Sequence, residues 1–412
     1  MARIRPFKAL RPTRETAAQV AALPYDVYSS QEACEAVAGA PLSFLRIDRA
    51  ETAFPEGQDI YAPEVYEKAG QLLRQAEEEG TMVQDAEACY YLYELTMDGR
   101  AQTGLVVTSS VDDYLNGVIR KHENALAAKE QDRIHHVDAC SAQTGPIFLA
   151  YRAQDAIRSI VQEVRTSQEP EQAFVSDDGI GHRVWVIREK SLIGQITDAF
   201  ADVECTYIAD GHHRAASAVR VSQMRRAEHP DYTGEEEFNY FLSVLFPDEE
   251  LYIMDYNRVL KDLAGYTPEE LLARISEKAE VEPAPEAPYH PRRKGEIGFL
   301  LGDRWYRLTA REVFQKRDPV GALDVSFLQR EILTPLWGID DPRTDSRIDF
   351  VGGIRGLEEL ERRCRNGYAA AFAMFPTSIG ELLEVADAGL LMPPKSTWFE
   401  PKLRSGLFIH KI

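Results

Sequence analysis

The 412-residue chain has five cysteines, Cys34, Cys89, Cys140, Cys205 and Cys364, which are odd in number, scattered and never spaced C-x-x-C. That excludes a disulfide framework or a zinc ribbon and points to a reducing cytoplasm. No run of about 18 apolar residues occurs, and the opening MARIRPFKALRP lacks the apolar core of a signal peptide. Neither a membrane span nor secretion is expected. Positive charge is also scarce: 47 Lys and Arg against 67 Asp and Glu leave a net charge of −20. With no basic patch segregated, nucleic acid and anionic membranes are repelled at long range. Short acidic runs such as AEEEG and PDEEL read as solvated faces. Internal repeats and low-complexity tracts are missing as well.

What remains is a globular composition, 44% hydrophobic and 28% charged, on a chain long enough for roughly two or three domains. The fold class read from it is α+β, a mixed β-sheet with helices. MARIRPFKAL and SFLRID read as strands. LPYDVYSSQEACEAVAG places Asp26 in a turn before a helix capped by Ser29 or Ser30, with Glu32 downstream. Asp98-Gly99 between two β-rich runs predicts a hairpin. HRVWVI predicts a strand, LIGQITDAFAD a helix, and EIGFLLGDRWYRLTA a second hairpin. KAEVEPAPEAPYHPRRKGE, rich in proline and charge, reads as a linker or irregular crossing. We expect residues 1–260 to form one domain and 261–412 a C-terminal α/β lobe whose last segment returns to the site.

The strongest chemical signal is YIADGHHRAASA, which spends two of only nine histidines at one strand-to-helix junction. A helix starting there leaves N–H groups unpaired and places positive potential at its end, a ready anion site. Gly211 permits a tight turn, Arg214 offers a planar fork for phosphate oxygens, and His212 and His213 are further donors. Adjacent histidines are poorly placed to chelate one ion, and no H-E-x-x-H spacing occurs. In RKHENALAAKEQDR, His122, Lys129 and Arg133 are spaced by seven and four, so one cationic helix stripe could face a phosphate with Glu123 beside it; a solvated helix is the alternative. In MPPKSTWFEPKL three prolines stiffen a segment offering Lys395, Ser396, Thr397 and Lys402, either as a binding loop or as a strand closing a sheet. Arg258 in DYNRVL pairs with a carboxylate substrate or an internal acid.

DGHHRAASA resembles the phosphate-binding turn of the ParB/sulfiredoxin-like superfamily, above all that of its free-serine kinases. LPYDVYS, RKHENALAAKEQDR, DYNRVL and MPPKSTWFEPKL resemble a bacterial family known as domain of unknown function 1015. The resemblance implies a ParB/sulfiredoxin-like core and phosphoryl transfer between ADP or ATP and serine or phosphoserine, including an ADP-using step from phosphoserine to serine. Mg²⁺ is expected, with its protein ligands unknown. On this reading Asp26, Asp210 and Glu123 are the catalytic candidates, Asp26 taking the hydroxyl proton. Gly211, His212, His213, Arg214, His122, Lys129, Arg133, Lys395 and Ser396 hold phosphate or nucleotide, and Arg258 and Thr397 hold substrate. The partners are then a small phosphometabolite and an adenine nucleotide, in the cytoplasm. The alternative is a non-catalytic nucleotide- or phosphometabolite-binding regulatory protein.

Overall fold

The computed structural model describes residues 1–124 and 127–412; Ala125 and Leu126, within the HENALAAKEQ stretch, lie outside the described residues. The chain divides into two compact units, Met1–Leu251 with Pro401–Ile412, and Tyr252–Glu400. The division precedes Tyr252 instead of following Leu260, and the closing segment belongs to the first unit.

The first unit is built on a nine-stranded mixed sheet. From one edge, Ile119–Arg120 pairs with Thr206–Asp210, then come Ile147–Tyr151, Tyr240–Pro247, Arg100–Ser110, Tyr90–Met97, Gly181–Ile187 and Gln172–Val175, with Ile4–Arg5 added on Arg100–Ser110. Two pairings are parallel, Thr206–Asp210 with Ile119–Arg120 and Tyr240–Pro247 with Ile147–Tyr151. The central strands are almost continuously buried because both faces are covered, and Leu92, Leu105, Leu149, Ile208 and Phe241 share one core. The Asp98-Gly99 hairpin forms with both turn residues at positive φ, 52° and 79°, as a tight two-residue loop requires.

A second core holds Leu10, Phe44, Leu45, Ile47, Met82 and Ile409. SFLRID is part of it as a helical turn, Leu45–Asp48, and not as the expected strand. A short apolar run does not distinguish the two by periodicity, and here the turn buries Phe44, Leu45 and Ile47 together.

The second unit carries a six-stranded antiparallel sheet, ordered Ala279–Pro283, Arg304–Ala310, Glu296–Leu301, Ala370–Met374, Tyr256–Leu260 and Ile348–Gly352. Of the stretch expected to be a linker or irregular crossing, Ala279–Pro283 is instead an edge strand of this sheet, paired on one side only where a proline is tolerated, while 284–295 is irregular. Val259, Leu300, Trp305, Val351, Leu360 and Ala371 form its core. Among the described residues no helix is long and apolar enough to cross a membrane.

Gly104 sits where a Cβ would lie 2.5 Å from Val244 Cγ1 and 2.7 Å from Phe246 Cζ. Gly104→Ala is expected to cost about 1–3 kcal/mol in urea unfolding. Gly194→Ala, inside the helix Lys190–Ala201 with nothing within 4 Å of its added methyl, is expected to gain about 0.5–1 kcal/mol.

Candidate functional site

The strand Thr206–Asp210 (β1) is buried up to its last residue. Its register against Ile147–Tyr151 shifts between Ile208 and Asp210, an irregularity that re-aims the final side chain. Gly211 follows at φ 93° and ψ 31°, and the helix His212–Glu228 starts with no side-chain cap. An added Cβ at Gly211 would stand 2.9 Å from Arg214 Nε. The missing side chain thus permits the left-handed turn and lets the Arg214 guanidinium fold back across it.

Arg214 Nη2 lies 3.5 Å from Asp210 Oδ2, and its Nη1 donates to the Pro146 carbonyl at 2.6 Å. Lys402 Nζ is 3.5 Å from the same Asp210 oxygen. Burial opposes the Asp210 charge, but Lys402 and Arg214 outweigh it and hold the carboxyl well below the usual carboxylate range. Two cations therefore stand beside an uncapped helix start, where the dipole adds positive potential.

His212 turns inward, 8% exposed, and meets the ring of His122, 2% exposed, edge-on at 4.5 Å between centroids. Burial pushes His122 down to about 4, against the opposing pull of the Ile208 backbone and Asp210, and pushes His212 well below its ordinary value. Both are neutral imidazoles at pH 7. His213 is partly exposed. The expected stripe of His122, Lys129 and Arg133 does not form, because the helix Ala127–Cys140 (α1) begins beyond His122, whose ring is buried against His212. Among the described residues His122, Glu123 and His212 are the group able to hold a metal ion, their donor atoms all within 4.8 Å of one another.

Lys129 and Arg133 do share α1, and both line a cavity of about 720 Å³ with Asp26 and Asp132. A second cavity of about 420 Å³ shares Tyr25, Asp48, Arg133 and His136 with the first and reaches Arg214. The Arg133 guanidinium lies 4.0 Å from the Tyr25 ring centroid and pairs with Asp132 at 2.9 Å. Asp26 is exposed in the short helical turn Tyr25–Val27. It does not cap the next helix, which takes Ser29 and Glu32 in a capping box. The structure thus brings Asp26, Lys129, Arg133 and Arg214 to one pair of connected walls.

Three residues of this site were missed or underused in the sequence. Arg49 donates to the Tyr25 and Tyr28 carbonyls at 3.0 and 2.7 Å and pairs with Glu51 at 2.6 Å, pinning the turn that carries Asp26. His136 Nε2 sits 3.1 Å from the Ile47 carbonyl, and burial, aided by Arg133, pushes it down to about 4. Lys402 stood in a proline-stiffened stretch with Lys395 but belongs to the first unit. Their signal is three-dimensional, since each meets its partners from a distant stretch of chain.

In the second unit Arg258, Lys395, Ser396 and Thr397 lie together. Arg258 is buried and donates to the Lys395 carbonyl at 3.0 Å and to the Tyr256 carbonyl. Both of these acceptors are main-chain oxygens, and neither is the internal acid that was one of the two partners expected for it. Burial lowers it to about 10. Ser396 Oγ donates to the Pro393 carbonyl at 2.5 Å, and Lys395 holds φ 61°.

A family model described as "Protein of unknown function (DUF1015)" matches residues 4–326. Among curated proteins nothing matches the chain. Solved structures similar to it include a free serine kinase in complex with AMP, 14% identical, covering 74% of this chain and 91% of that one at a TM-score of 0.36. Another is SbnI with C-terminal truncation from Staphylococcus aureus, 11% identical over 72% of this chain and 82% of that one, TM-score 0.37. A conserved hypothetical protein from Pyrococcus furiosus is 13% identical over 74% of this chain and 94% of that one, TM-score 0.34.

Gly211→Ala imposes a left-handed backbone on alanine and crowds Arg214, so a loss of about 1–3 kcal/mol is expected in chemical unfolding. For His136 the folded pKa of about 4 lies below the ordinary value near 6.5. The unfolded chain therefore takes the proton first. Its contribution to stability is full above about pH 6.5 and falls as pH drops toward 4, by up to about 1.4 kcal/mol per unit. Unfolding midpoints recorded between pH 7.5 and 4.5 should show this slope reduced in His136→Gln.

Proposed function

The chain belongs to the DUF1015 family, and on that premise we propose that it transfers a phosphoryl group between an adenine nucleotide and serine or phosphoserine. The observation that carries this reading is the convergence of Arg214 and Lys402 on the Asp210-Gly211 turn, with Asp26 on the wall of the connected cavities. Phosphoryl transfer needs mainly positioning and charge neutralisation. The resemblance of DGHHR to the free-serine-kinase turn supplies the substrates, and it makes the first unit a ParB/sulfiredoxin-like core in a cytoplasmic enzyme.

In the direction from ATP, Asp26 accepts the serine hydroxyl proton as that oxygen bonds the γ-phosphorus and the bond to the ADP oxygen breaks. In reverse, ADP takes the phosphoryl group from phosphoserine and the seryl oxygen regains its proton. Gly211, His213, Arg214, Lys402, Lys129 and Arg133 hold the phosphates, and Asp210 keeps Arg214 and Lys402 in place. Arg258, Lys395, Ser396 and Thr397 stay as candidate nucleotide and substrate contacts of the second unit. Magnesium takes oxygen ligands, which the cavities offer in Asp26, Asp48 and Asp132; when bound it shields charge on the phosphates.

Phosphorus NMR of the protein with Mg²⁺, ADP and phosphoserine, and separately with ATP and serine, tests the reading. Exchange between serine and nucleotide is expected, slowed about 10²–10⁴-fold in Asp26→Asn with nucleotide binding retained. Lys402→Met should weaken nucleotide binding instead. Nucleotide binding with no exchange in either direction would point to a regulatory binding protein, and full activity in Asp26→Asn would remove its role as base.

A further inference from the structure

We propose that His122, Glu123 and His212 bind a divalent transition-metal ion of the Zn²⁺ or Co²⁺ kind. Two imidazoles from distant parts of the chain are driven against each other, rings 4.5 Å apart and edge to face. Among the described residues neither ring nitrogen of His122 makes a hydrogen bond of good geometry, although the Ile208 main chain lies near enough to favour its charge, and Nε2 of His212 makes none; both side chains are more than nine-tenths buried. Buried polar nitrogens normally find a partner, and leaving one unmade costs about 1–3 kcal/mol. A neutral imidazole has one N–H and one lone-pair nitrogen, so each of the two rings can turn one lone pair toward something that accepts it.

A metal ion does that, and the Glu123 carboxylate completes the donor set. All three donors lie within 4.8 Å of one another. An ion holding each at about 2.1 Å in a tetrahedral arrangement needs them about 3.4 Å apart, a closure of up to about 1.4 Å that side-chain rotation can supply. The chemistry of the set selects the ion. Two imidazoles and one carboxylate suit zinc, cobalt and their neighbours, whereas magnesium demands oxygen and keeps its waters. This site is thus distinct in kind from the magnesium that a nucleotide would bring. Three protein ligands leave a tetrahedral position open, as in metal sites that bind water or an anion oxygen. His212 is the first residue of its helix, directly after Asp210-Gly211, so the site adjoins the turn read above as a phosphate site. The inference concerns the same turn but does not depend on phosphoryl transfer.

The test uses the full-length protein stripped with chelator and contains no nucleotide or serine. Co²⁺ titration should give visible d–d absorption saturating near one ion per chain, and Zn²⁺ should displace it. Micromolar Zn²⁺ should raise the Tm of the wild-type protein while millimolar Mg²⁺ does not, since an ion that binds only the folded state stabilises it. His122→Ala and His212→Ala should abolish the absorption. Glu123→Gln, the variant least disturbing to the fold, should weaken Co²⁺ by more than the about 10–100-fold that loss of an outer-shell partner costs. His229→Ala, at the far end of the same helix, should change nothing. Absence of saturable Co²⁺ binding to the wild-type protein overturns the proposal, as does unchanged affinity in Glu123→Gln together with either folded histidine variant. Because catalysis is not read, inactivity in phosphoryl transfer cannot produce either result.

Discussion

A buried strand ends in a place its neighbours dictate, and Thr206–Asp210, one strand in from the sheet edge, ends on a carboxylate gripped from two sides. Arg214 reaches back from the first turn of the following helix and Lys402 arrives from the far end of the chain. That one negative charge helps to hold the folded-back guanidinium and draws one cation of the closing segment to the turn. Gly211 is the backbone condition for it, since any side chain there would collide with Arg214.

The same economy governs the cavities. In a chain with net charge −20, an anionic ligand meets repulsion at a distance and attraction only where cations are held by structure. Arg133 is fixed between the Tyr25 ring and Asp132, and Arg49 is spent on the Tyr25 and Tyr28 carbonyls and Glu51. Each cation is given a rigid position by an internal partner. That lowers the ordering cost of binding a ligand there, at the expense of part of its charge.

Local chemistry made much of this legible. Asp98-Gly99, the strand-forming run HRVWVI and the abrupt end of the apolar run at Asp210 each state their conformation within a few residues. SFLRID did not, because an apolar run of that length suits a strand or a helical turn equally, and burial of Phe44, Leu45 and Ile47 in a shared core decided it. KAEVEPAPEAP misled because proline marks sheet edges as well as linkers. His122 was read on a helix stripe from spacing alone, and spacing carries no information about where a helix starts. Arg49 and His136 were invisible for a different reason: both hold main-chain carbonyls of a separate stretch, Tyr25 and Tyr28 for one and Ile47 for the other, and a main-chain oxygen leaves no trace in a list of side chains.

The membership of Pro401–Ile412 in the first unit has a consequence for how the chain is made. Ile409 pairs with Leu10 and Ser405 with Ala22, so strands synthesised first wait for residues synthesised long after them. Tyr252–Glu400, by contrast, is continuous and holds its own sheet. On the ribosome the inserted unit can acquire its core while the surrounding one still lacks Lys402, and the Asp210-Gly211 turn gains its second cation only once that late segment has emerged. Assembly of the site is thereby placed late in biosynthesis.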